Sequence, residues 1–224
     1  MNSLQKTSFA TWLAMAMHLA GVIGIQIGMD ELFQQLTPFN LLAMFLLVWF
    51  TAPERNLKML VFFVVCFVVG YGSEQIGVHT GLLFGNYSYG QALGPKWMDV
   101  PLMIGVNWFI VVYAAGMLAL KVRQWVGKAF PMAGKAAFSR WLGFSLVLDG
   151  ALLATMFDWI MEPAAVRLGF WQWDGGHISM LNYLSWFLIS MILLFLFRKL
   201  KLQFHPFAVN LLLIQALFFL LVRG

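Results

Sequence analysis

Acidic side chains are few in this chain, nine in all, and their spacing is where chemistry is to be sought. Asp158 and Glu162 stand four residues apart. On an α-helix that spacing sets them about 40° apart around the axis and about 6 Å apart along it, so two carboxyl groups share one face and can retain a proton between them. A carboxylic acid kept neutral near physiological pH is a general acid. Glu74 closes one apolar run and Asp99 opens the next, so Glu74, Asp99, Asp158 and Glu162 converge near one depth if the runs bundle. That layer is the candidate catalytic site. Asp149, nine residues before Asp158, falls about 180° round the helix and about 13.5 Å deeper, facing a different neighbour. It is placed with the substrate-binding candidates. The competing reading is that Asp158 and Glu162 only mark a wet helix end.

Two segments near these acids have an unusual composition. Residues 72–101 and 162–182 mix Gly turns with Phe, Tyr and Trp, and each holds one His. They are read as folding back over or into the bundle, with His79, Tyr87, Tyr89, Trp171, Trp173 and Asn182 as substrate-binding candidates. Their rings suit either a membrane-interface belt or the wall of a pocket for a long apolar ligand, with π faces open to a cation.

Other chemistry lacks its residues. The four His are scattered with no HxxxH or HxxHH cluster, which argues against a His-rich di-iron oxygenase. Gly70-Tyr71-Gly72 begins a GxGxxG pattern, but Gln75 holds the third glycine position, and no P-loop is present. The last apolar run has no Lys for a retinal Schiff base. Cys66, the single cysteine, lies in an apolar run and reads as a small buried hydrophobe, and His18 as a packing residue. No metal and no cofactor are expected. Acid–base chemistry on an apolar substrate remains, or binding and transport without chemistry.

The elements that must position these groups are membrane helices. Of 224 residues, 62% are hydrophobic and 10% charged, against about 25% charged in an ordinary soluble domain. A run of roughly 20 apolar residues crosses a bilayer. The candidates are Phe9 to Gly28, Pro38 to Thr51, Leu57 to Gly72, Val100 to Leu120, Trp141 to Met161, Ser179 to Phe197 and Pro206 to Val222. The expected fold is all-α: a polytopic membrane helical bundle of about seven transmembrane helices, one domain over residues 1–224, in the cell membrane. With the N-terminus inside, 11 of the 14 Lys and Arg fall on inner segments, which gives an N-in, C-out orientation. The net charge of +5 then meets anionic lipid, and no nucleic-acid partner is expected. Gly24 to Gly28 forms a GxxxG, a place for close helix approach.

The two aromatic segments carry a resemblance. Glu74-Gln75-Ile76-Gly77-Val78-His79-Thr80-Gly81, Phe84-Gly85-Asn86-Tyr87-Ser88-Tyr89, Leu93-Gly94-Pro95-Lys96 and Val100-Pro101 come first. Asp158-Trp159-Ile160-Met161-Glu162-Pro163, Gly169-Phe170-Trp171-Gln172-Trp173 and Asn182-Tyr183-Leu184-Ser185-Trp186 follow. In this order they resemble the membrane carotenoid biosynthesis proteins, a family that includes carotenoid 1,2-hydratases and bisanhydrobacterioruberin hydratase. The resemblance covers Glu74 to Trp186, about half the chain. One departure stands out: the family has Asp before the Pro, and Glu162 here reaches one methylene further.

The resemblance implies a carotenoid 1,2-hydratase, a hydro-lyase that adds water to the terminal C1=C2 double bond of an acyclic carotenoid end. The implied substrate is lycopene- or γ-carotene-like, in contact with water, membrane lipid and other carotenoid enzymes. Asp158 or Glu162 would protonate C2, Glu74 or Asp99 would orient water and accept its proton, and the aromatic faces would steady the cation. An end-group cyclase begins with the same protonation but lets a neighbouring double bond capture the cation, so a dry site favours cyclisation and a wet one hydration. A prenyltransferase needs two acidic motifs for Mg²⁺-diphosphate, and one DxxxE is present. A carotenoid carrier or small-solute transporter would show an open path and form no product.

Overall fold

Apolar and small residues run all the way round the helix Met103–Ala129, which a helix can bear only when neighbours enclose it. They do: it lies at the centre of the bundle, packed by five other helices. The computed structural model describes residues 1–130 and 136–223. In chain order the elements are α1 (Ser3–Gln26), α2 (Asp30–Thr51), α3 (Leu57–Thr80), β1 (Tyr87–Tyr89), β2 (Lys96–Trp97), β3 (Val100–Pro101), α4 (Met103–Ala129), α5 (Ala136–Arg167), β4 (Trp171–Trp173), a 3-10 turn (Asp174–Gly176), α6 (Met180–Leu200) and α7 (Pro206–Leu221). Among the described residues, six helices are long and apolar enough to cross a membrane, and α7 is a shorter apolar helix. Their outer faces expose large apolar side chains such as Trp12, Phe39 and Leu46, as lipid contact requires. This all-α bundle is a membrane protein.

Most helices run further than the hydropathy reading places them, and the extra turns of three of them matter most for function. The α2 helix starts at Asp30, eight residues before Pro38, which lies inside it. The α3 helix continues past Gly72 to Thr80 and so carries Glu74 within its last turns. The α5 helix continues past Met161 to Arg167, through Glu162 and Pro163. Pro38 and Pro163 lie inside these helices, and the glycines within α3 serve packing. A Cβ on Gly70 would lie 2.3 Å from the Trp108 ring, and one on Gly77 2.5 Å from Phe84. Of the GxxxG pair, Gly24 alone makes a close helix approach, since a Cβ there would strike Phe33 of α2 at 1.8 Å, whereas Gly28 lies beyond the end of α1 with φ 86°.

Gly70→Ala is therefore expected to push Trp108 out of place and to cost about 1–3 kcal/mol of stability. The check is a lower thermal midpoint in detergent, measured on the indole emission.

Two short strand pairs cap the end of the bundle where α3 and α5 finish. Strands β1 and β4 pair antiparallel with Tyr87 opposite Trp173 and Tyr89 opposite Trp171. Side chains alternate across a strand, so Tyr87, Tyr89, Trp171 and Trp173 all point inward while Ser88 and Gln172 face out. Strands β2 and β3 form a hairpin whose tip, Met98 and Asp99, has positive φ at both residues, 48° and 64°. That is the geometry of a two-residue hairpin turn.

Candidate active site

The inward face of the β1/β4 ribbon closes over three buried carboxyl groups. Glu74 of α3 is 5% exposed, and Asp158 and Glu162 of α5 are 1% and 2% exposed. A carboxylate so far from water needs hydrogen-bond donors, and the ribbon and neighbouring helices supply them unequally.

Glu74 takes three. Tyr87 and Tyr89 donate their hydroxyls to Oε2, the latter at 2.7 Å, and the Trp108 indole donates to Oε1 at 2.9 Å. Burial and then the Glu74 charge push both phenols up from their ordinary range, so each stays protonated and donates. Trp108 is held by stacking on Trp186 of α6, ring centroids 3.8 Å apart and 9° from parallel. Glu162 also takes three donors: the indoles of Trp171 and Trp173 reach Oε2 at 2.9 Å each, and Asn182 reaches Oε1 at 3.2 Å. Asp158 takes one, from Asn182 at 2.7 Å. A single amide of α6 thus spans both acids of the i, i+4 pair.

These groups line a void of about 20 Å³, which is room for about one water molecule. Beside it lies a far larger cavity, about 510 Å³ and mostly apolar, between α1, α2, α4, α5 and α7. Ile104, Asn107, Met161 and Trp171 line both spaces and form the wall between them. The large cavity has the size of a small-molecule site. Its rim includes the exposed Leu36 and Phe39 of α2, so it opens toward lipid.

Of the residues singled out by sequence, the structure brings together Glu74, Asp158, Glu162, Tyr87, Tyr89, Trp171, Trp173 and Asn182. It does not bring Asp99, His79 or Asp149 to them. Asp99 sits on the hairpin tip with its side chain 81% exposed, 3.9 Å from the His79 ring, which is itself on the outer surface of α3. Asp149 is half-buried on α5 and lines neither cavity. Depth along the chain placed Asp99 with the acids, but the left-handed hairpin turn carries it outward. Asp99→Asn and Asp149→Asn are accordingly expected to leave turnover within about twofold of the parent, as for substitutions away from a site. Pigment analysis of cells carrying each variant checks this.

Sequence reasoning missed Trp108, Trp186 and Asn107. The first two read as span residues, and only tertiary packing shows that the Trp108 N–H has a carboxylate to serve. Asn107 had a usable signal: an amide one turn into an apolar helix is costly unless it faces something polar. It is half-buried at the wall and makes no hydrogen bond among the described residues.

Comparison with known proteins shows the family of the chain. The family model described as "Carotenoid biosynthesis protein" matches residues 35–223, which include every residue of the carboxyl cage. The chain is 30% identical over 131 residues to the bisanhydrobacterioruberin hydratase of Haloarcula japonica. That alignment covers 57% of this chain and 40% of the relative, so the chain spans less than half the length of the protein it matches. No solved structure matches. The chain belongs to the family of carotenoid biosynthesis proteins.

Proposed function

We propose that this protein is a cofactor-independent hydratase acting on the terminal C1=C2 double bond of an acyclic carotenoid end. The observation that carries the reading is the meeting of three buried carboxyl groups, held to different extents by donors, with a void for one water beside an open apolar cavity. The name of the Haloarcula relative supports it as an analogy of activity.

In this reading Asp158, the acid with the fewest donors, carries the proton. Its O–H bond breaks as the π pair of C1=C2 forms a C–H bond at C2, leaving a tertiary cation at C1 and a carboxylate on Asp158. The faces of Trp171 and Trp173 and the negative Glu74 stabilise that cation, each ring by about 0.5–2 kcal/mol. Water in the small void, oriented by Asn107, forms the C1–O bond and gives a proton to Glu162. Transfer from Glu162 to Asp158 beside the bridging Asn182 restores the starting state, and the sum is alkene plus water giving a tertiary alcohol. The substrate is lycopene- or γ-carotene-like, with its tail in the large cavity and the surrounding lipid, and the wall side chains Ile104, Met161 and Trp171 give way so that its terminal double bond reaches Asp158 beside the water. The protein works as one transmembrane domain in the cell membrane, N-terminus inside, with the cage near the outer face, where water enters and where other carotenoid enzymes can hand over substrate.

The test is pigment mass in cells making an acyclic carotenoid, with and without this chain. A gain of one water per reactive end is expected. An unchanged mass with altered absorption would replace the reading with cyclisation, and no change would replace it with a carrier.

A further inference from the structure

The inward rings of the β1/β4 ribbon cover the small void, so its water must arrive from the side. The large cavity lies on that side. Ile25, Phe218 and Phe219 give its α1–α7 wall a hydrocarbon surface, but α2 and α4 bring Gln34, Thr37, Asn40 and Asn107 to it. Thr37 donates its hydroxyl to the Phe33 carbonyl at 2.8 Å, which leaves its oxygen able to accept. The three amides make no side-chain hydrogen bond among the described residues, and their nitrogen and oxygen atoms are open rather than sealed. An open amide on a membrane-spanning helix calls for a polar partner.

Helix register sets these four residues at successive heights. A Cβ on Gly94, in the loop at the cage end, would lie 3.1 Å from Pro38 of α2, and the neighbouring Pro95 accepts from the Leu102 N–H at 3.0 Å, at the head of α4. Further down, Thr51 of α2 and Tyr113 of α4 both bond to His205, at 2.9 and 3.2 Å. The two helices therefore run parallel, with Pro38 level with Leu102. At 1.5 Å per residue Gln34 stands about 6 Å above that level and Thr37 about 1.5 Å above it, while Asn40 lies about 3 Å and Asn107 about 7.5 Å below. Successive steps of about 4.5 Å are spans that a bridging water fills. One turn above Gln34, Asp30 and Glu31 open α2 with charges that belong in water.

We infer that Gln34, Thr37, Asn40 and Asn107 form a water route from the head of α2 to the carboxyl cage, while the tail keeps the apolar side of the same cavity. Asn107 lines both spaces, so it receives water at the level below Asn40 and passes it through the wall. What the water is used for rests on the hydratase reading, whereas the hydrated strip itself does not.

Thiol chemistry reads the strip without reference to catalysis, because the thiolate is the reactive form and it needs water around it. Asn40→Cys and Leu42→Cys are each made in a Cys66→Ala background, which has no other thiol. Leu42 lies about 3 Å further down α2 and faces lipid. Each protein in nanodiscs is treated with a cationic methanethiosulfonate that does not enter hydrocarbon, and intact mass follows the reaction. The Asn40→Cys thiol is expected to react at least about tenfold faster than the Leu42→Cys thiol, and Gln34→Leu placed above it to slow that reaction. Equal rates at the two positions overturn the route. Turnover gives a second measure. Asn40→Leu starves the cation of water, so the alcohol is expected to fall about tenfold, the worth of one hydrogen bond along the route. The cation then reverts to alkene by losing the hydrogen that C2 already carried. In deuterium oxide the recovered alkene therefore gains deuterium relative to the alcohol formed, a ratio that a merely loosened fold leaves unchanged. Asn40→Ser, which keeps a polar group, is expected to fall between Asn40→Leu and the parent. A parent-like alcohol yield in Asn40→Leu, or an unchanged ratio, also overturns the route. Fast thiol reaction at position 40 in a protein whose parent forms no alcohol would instead count against the hydratase reading alone.

Discussion

Asp158→Asn is expected to lower hydration by about 10²–10⁴-fold, the usual worth of a positioned general acid, while the protein accumulates and folds as before. The separation of activity from stability follows from the hydrogen-bond inventory. Asp158 receives one bond, from the Asn182 amide at 2.7 Å. An asparagine keeps an oxygen for that donor and turns its own amide the other way, so packing is preserved. What it cannot do is deliver an acid proton to carbon. Turnover and melting midpoint measured on the same purified variant check both halves of the expectation. Parent-like turnover would remove Asp158 from the donor role.

Glu74→Gln is expected to fail differently, with losses in both activity and stability. Both oxygens of Glu74 are in use, one by Tyr87 and Tyr89 and the other by the Trp108 indole. A glutamine has a single oxygen, so its NH₂ must face at least one of those donors, and a buried donor is left unpaired at about 1–3 kcal/mol. The cation also loses its negative neighbour. A drop in turnover of about 10²-fold together with a lower thermal midpoint is expected, the former by analogy with loss of one preorganised electrostatic group. Tyr89→Phe removes one of the donors while leaving the carboxylate, so it should fall between Glu74→Gln and the parent on both scales. An ordering in which Tyr89→Phe is the worse of the two would contradict a charge-based role for Glu74.

Much of this site was legible in the sequence because it rests on local periodicity. Asp158 and Glu162 share a face by i, i+4 spacing, and Tyr-Ser-Tyr and Trp-Gln-Trp present their rings to one side by the period of two. The bundle itself follows from hydropathy. What the sequence withheld depends on packing at a distance. Gly70 and Gly77 look like breakers until Trp108 and Phe84 are seen lying against them. Glu74 was therefore placed at a helix end, although it sits on an unbroken helix facing a ribbon 13 to 15 residues on. Asp99 illustrates the converse. It has the right residue type at the right depth, yet a hairpin with two left-handed residues turns it outward.

Carbon protonation by the cage is the claim on which the rest stands, and isotope incorporation reads it at the reacting atoms. The purified protein in nanodiscs is given an acyclic carotenoid under anaerobic conditions in deuterium oxide enriched in heavy oxygen, and the product is resolved by mass and NMR. The account predicts one carbon-bound deuterium at C2 and a heavy oxygen at C1 for each end that reacts, with none of either formed by Asp158→Asn. A product hydroxyl that requires molecular oxygen, or one that appears with no deuterium at C2, would contradict it.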